Sequence, residues 1–177
     1  MTAVALAILL GIVLVVSLTG WWQHAPVFPA VATGLMCAAI VVAASVEGVG
    51  RAALIVCTAL AVTASAAGGG PLTVAILACA SYSTTPRVRE PGRPDPTPAE
   101  DVLRGGAWIG TLERLAVSAA LIAGWPEGIA VVLAVKGLAR YPELRSPGAG
   151  ASERFIIGTF TSVLWAAACA VTVLLLR

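Results

Sequence analysis

Four charged residues lie inside stretches that are otherwise apolar. Glu113 and Arg114 are consecutive in the run from Ala107 to Gly124, and Lys136 and Arg140 stand four apart in the run from Glu127 to Tyr141. An ionised side chain at mid-bilayer costs about 2.5–3.5 kcal/mol even on a lenient insertion scale, so each of the four is a candidate for function. Residues four apart share a helical face, which aligns Lys136 with Arg140. At a rise of about 1.5 Å per residue, Glu113 is about 9 Å from Ala107 and Lys136 about 7 Å from Tyr141, so an antiparallel hairpin allows the two to pair. Arg114 points about 100° away from Glu113 and needs another partner. Two roles follow. In one, the charges snorkel to the interface or pair to fix helix packing. In the other, the basic groups form a shallow pocket in the cytoplasmic leaflet for an anionic headgroup or phosphate, with Glu113 orienting one of them. Gly106-x-x-x-Gly110 and Gly158-x-x-x-Ser162 are small-residue pairs that let helices approach around such a pocket.

Other reactive residues form no constellation. Cys37, Cys57, Cys79 and Cys169 each fall in a different apolar stretch with no C-x-x-C spacing and no adjacent His, which reads as buried free thiols rather than a metal site. His24 follows Trp21-Trp22 and reads as an interfacial residue, while Glu47 and Arg51 read as a surface pair. Zinc-protease, nucleophile-elbow, phosphate-loop and dinucleotide patterns do not occur, and Gly68-Gly69-Gly70 lacks the Lys and the strand-to-helix setting of a phosphate loop. No cofactor or metal is expected.

The elements that carry these residues belong in a bilayer. Hydrophobic residues make up 59% of the 177 and charged residues 11%, against about 25% charged in a soluble domain. Mean hydropathy is +0.94. There is too little polar side chain to build a soluble shell. The net charge of +2 excludes a nucleic-acid partner as the expected reading. Arg supplies every basic residue but Lys136, and Ala, Val and Gly dominate the apolar set, which points to a GC-rich bacterial genome and the cytoplasmic membrane.

A spanning helix needs about 20 mostly apolar residues. Seven stretches meet or approach that length: Thr2 to Gly20, Val27 to Val46, Ala52 to Ala67, Pro71 to Tyr82, Ala107 to Gly124, Glu127 to Tyr141 and Phe155 to Leu176. The fold class is thus all-α and polytopic, with about seven transmembrane helices, or six if the short fourth stretch is re-entrant. Three glycines at 68–70 are expected to break the chain, with Pro71 opening the next helix. Residues 1–82 form an N-terminal four-segment region, 83–105 a cytoplasmic Pro-rich linker, and 106–177 a three-helix region. Thr97-Pro98-Ala99-Glu100 matches a capping box and predicts a helix start, running along the surface to Gly105-Gly106 before turning inward. With seven spans the basic loops alternate so as to place the N-terminus inside.

The runs Ile109-Gly110-Thr111-Leu112-Glu113-Arg114, then Lys136 with Arg140, then Ile157-Gly158-Thr159 resemble the C-terminal membrane region of a bacterial integral-membrane family with I-G-x-L-E-R and I-G-T motifs. The similarity covers residues 107 to 165. It implies that Gly110, Glu113, Arg114, Lys136, Arg140, Gly158 and Thr159 act as one binding site or one packing unit, and it carries no activity with it. Three function classes stay open: a scaffold binding membrane lipids, another membrane protein or a second copy of itself; a small transporter or channel; and an enzyme acting on a lipid phosphate.

Overall fold

The computed structural model describes residues 2–23, 25–82, 100–144 and 151–177, which form six α-helices and, among the described residues, no strand. These are α1 (Thr2–Gln23), α2 (Val27–Ala44), α3 (Arg51–Tyr82), α4 (Glu100–Ile122), α5 (Gly128–Leu144) and α6 (Ala151–Leu174). Residues 83–99 of the Pro-rich linker, which include Thr97 to Ala99 of the capping box, and His24 lie outside the described residues, while residues 100–105 of that linker belong to α4.

Packing follows a seven-residue repeat. The buried positions of α1 are Leu6, Leu10, Val13, Ser17 and Gly20, and those of α2 are Pro29, Ala32, Met36, Ala39 and Ala43. Steps alternating between three and four place each set on one seam, the pattern of helices crossing at shallow angles. The opposite face of α1 leaves Val4, Ile8, Ile12 and Val15 exposed, a surface suited to lipid. α3 and α6 are the central pair: α3 packs on α1, α2, α4 and α6, and α6 on α2 to α5. α5 packs chiefly on α4. Four helices, α1, α2, α3 and α6, are long and apolar enough to cross a membrane, which marks a membrane-embedded protein.

Three expectations are corrected. The third and fourth stretches form a single helix of 32 residues running unbroken through Gly68-Gly69-Gly70-Pro71, so the described residues hold six helices rather than seven. In an apolar surround an interrupted helix would expose unpaired backbone groups, so the chain stays helical wherever neighbours can repair local defects. Likewise α4 runs from Glu100 through Gly105-Gly106 without turning. α5 also continues past Tyr141 to Leu144. The turn expected at Trp125-Pro126 is present, with Gly124 in the left-handed region at φ 75° closing α4.

Candidate functional site: a polar cluster among α3, α4, α5 and α6

The triple glycine is a junction of four helices. Pro71 has no N–H, so the carbonyl of Ala67, four residues earlier, lacks its helical donor. Trp21 of α1 supplies one, donating from Nε1 at 2.7 Å. The preceding carbonyls are also engaged from outside. Trp165 of α6 donates to Ala64 O at 3.1 Å, and Arg114 of α4 donates from Nε to Ser65 O at 3.0 Å and from Nη2 to Ala66 O at 2.7 Å. Absent β-carbons make room for all three side chains. A Cβ on Gly68 would overlap the Trp165 ring, one on Gly69 the Arg114 side chain, and one on Gly70 the Trp21 ring. Because each carbonyl points along the helix toward the residue four positions later, bare positions at 68–70 open the carbonyls just before them.

Arg114 is 3% exposed. Its remaining contacts are Thr111 Oγ1 at 3.2 Å and Ser162 Oγ at 3.4 Å, and among the described residues no carboxylate forms an ion pair with it. One turn along α4, Ser118 Oγ lies 2.7 Å from Ser65 Oγ, extending the polar seam between α3 and α4. Gly110 belongs here too, since a Cβ there would lie 3.2 Å from Arg114 Nη1.

Glu113, on the adjacent face of α4, forms an ion pair with Lys136 of α5. Their side chains are 16% and 21% exposed, so the pair sits at the edge of the bundle rather than in its middle. Glu113, Arg114, Lys136, Thr159 and Ser162 line a cleft together with apolar residues of α4 to α6. Its cavity volume is about 10 Å³, the room of roughly one water molecule. Thr159 is 9% exposed and its hydroxyl has no hydrogen-bond partner among the described residues.

Of the seven expected site residues, five are thus brought together: Glu113, Arg114, Lys136, Thr159 and, through Arg114, Gly110. Gly158 faces α3 instead, near Thr73 and Leu77. Arg140 is exposed one turn beyond Lys136 on α5. Ser65, Trp21, Trp165 and the three glycines were not among the expected site residues, and Ser162 was expected only as a small residue for close helix approach. Pro71 was the available signal, because a proline inside an apolar stretch calls for a donor to the carbonyl it abandons.

The chain matches no known protein family, no curated protein and no solved structure.

Proposed function

We propose that this is a multi-pass protein of the bacterial cytoplasmic membrane that holds an anionic lipid headgroup at the mouth of the α4–α5–α6 cleft, through Lys136 and Arg140. The observation that carries this reading is the depth of the Glu113–Lys136 pair. Arg114 bonds Ser65 and Ala66 while Trp21 bonds Ala67, so Glu113 lies level with the turn between α1 and α2, where Trp22 is exposed. Trp108 and Tyr141, also exposed, lie about 7 Å further toward the same face by helical rise. Aromatic side chains concentrate in the headgroup layer. Lys136 and Arg140 therefore sit between two aromatic levels, at the depth of lipid phosphates. The cleft interior is too small for a phosphate group, which puts the headgroup at the rim, with Glu113 holding the Lys136 ammonium. Arg114, turned to the α3 backbone, organises the bundle.

The orientation belongs to the same proposal. With α3 as one helix, the Arg-rich ends of α4, α5 and α6 share a face with the end of α3, and that face is cytoplasmic by the positive-inside bias. The N-terminus is then outside, the reverse of the expectation from seven spans.

The test is lipid retention. Arg140→Ala, purified in mild detergent from cells containing phosphatidylglycerol and cardiolipin, is expected to carry several-fold less of both. Equal retention in Arg140→Ala and the wild type would refute headgroup binding and leave the cluster a packing element.

A further inference from the structure

We infer that the seam between α5 and α6 holds an acyl chain of the phospholipid whose headgroup lies at Lys136 and Arg140. The site rests on the headgroup reading above and widens its ligand from a phosphate-bearing headgroup to a whole amphipathic lipid.

Layering points to an amphipathic ligand. Three helices line the cleft, and each contributes a polar residue and, four positions away, a valine: Glu113 and Val117 on α4, Lys136 and Val132 on α5, Thr159 and Val163 on α6. Residues four apart share a helical face and differ in depth by about 6 Å. α4 and α6 end at one face, where Arg177 donates to the carbonyl of Ile122, and α5 returns from that face after the Trp125 turn. The three valines therefore fall on the same side of the three polar residues, deeper in the membrane. With Lys136 at the depth of lipid phosphates, the valine layer lies where acyl chains begin.

Shape and surface agree. The surface that the cleft presents is almost wholly apolar, and its cavity of about 10 Å³ has room for one water-sized or methylene-sized group. Apolar cavities stay dry, so a methylene is the better match. The cleft is closed by α4, where Val117 is buried, and half-exposed at Val132, Leu133 and Val163. Its mouth thus lies between α5 and α6, which touch only slightly. α5 is held by α4 instead, through the Lys136–Glu113 pair and at Gly128, where a Cβ would overlap the Trp125 ring. The outer face of α1 is a convex surface that meets a lipid chain along one side. The α5–α6 seam meets a chain on two sides and gives it more dispersion contacts.

The experiment uses the full chain in phosphatidylcholine vesicles containing a small fraction of phosphatidylglycerol with a diazirine near the carbonyl end of one acyl chain. After irradiation, adducts are mapped by mass spectrometry of the peptides. Labelling at Leu133 and Val163 is expected several-fold above that at Val15 and Leu18, which are exposed on α1 at about the same depth. Val163→Phe, which puts a ring into the mouth, is expected to lower labelling at Leu133 several-fold. Equal labelling of the seam and of α1 would overturn the chain site, as would unchanged Leu133 labelling in Val163→Phe. The headgroup reading fails on a different measurement, unchanged lipid retention in Arg140→Ala. Even labelling with retention lost in that variant would leave a headgroup site without a chain site. Seam labelling with retention unchanged would leave the chain site and remove the headgroup.

Discussion

Glu113 turns to Lys136 on α5, while its neighbour Arg114 turns to the backbone of α3. The about 100° between consecutive helical residues sends one side chain to the edge of the bundle and the other into it. The two should therefore respond differently to substitution. Glu113→Gln or Lys136→Met each strands a partly buried partner, and each is expected to lower stability. The double variant should lose less than the sum, with a coupling of about 1 kcal/mol. Thermal or denaturant unfolding of the four proteins in detergent measures it, and strictly additive losses would contradict the pair. This pairing was legible in the sequence because helical rise alone places both residues at one depth in a hairpin. The partner of Arg114 was not, since backbone carbonyls are present at every position and leave no mark on residue type. Thr159 was reached only through a motif, and the structure supplies its physical character as a buried hydroxyl without a partner.

At the scale of the element, α3 shows why a punctuation signal can be read correctly in chemistry and wrongly in consequence. Gly68-Gly69-Gly70-Pro71 does weaken the helix locally: glycine costs about 1 kcal/mol relative to alanine, and proline removes a donor. In water such a stretch ends a helix. Here the same bare surface and the same freed carbonyl are what Trp21, Arg114 and Trp165 dock against, so the defect becomes the contact and α3 continues to Tyr82. The helix positions of α1, α2 and α6 were legible because apolar length decides them, whereas this continuity depends on side chains from three other helices. The account predicts a specific dependence. Trp21→Phe is expected to cost about 1 kcal/mol, the net value of one hydrogen bond, when Pro71 is present. In a Pro71→Ala background, a backbone N–H again reaches Ala67 O and the same change should cost little. Unfolding of Trp21→Phe, Pro71→Ala and the double variant decides it: an equal cost of Trp21→Phe in both backgrounds would mean that Trp21 does not replace the donor that Pro71 lacks.

For the whole molecule, the continuity of α3 fixes which ends lie together. α3 has 32 residues and a length of about 48 Å, so Arg51 and Tyr82 are at opposite faces. The side chain of Arg177 donates to the carbonyl of Ile122, placing the ends of α6 and α4 at one face, and α1 ends near Pro71 in the middle of α3. The N-terminus, Arg51, the Trp125 turn and Arg177 accordingly belong to one face. The other receives the ends of α3 and α5 and the starts of α4 and α6, with Arg104, Arg140 and Arg154 on α4, α5 and α6 and Arg87, Arg89, Arg93 and Arg145 between these helices in the sequence. Seven spans would have put Arg51 on the same side as the linker. On the proposed reading of six spans, the two basic residues Arg51 and Arg177 stand against seven, and the positive-inside bias would put the larger set in the cytoplasm. The expected outcome is an external N-terminus. In a cysteine-free background, Thr2→Cys and Glu127→Cys should react with a membrane-impermeant maleimide applied to intact spheroplasts, and Asp95→Cys should react only after lysis. Labelling of Asp95→Cys from outside, with Thr2→Cys protected, would restore an internal N-terminus and move the headgroup site to the outer leaflet.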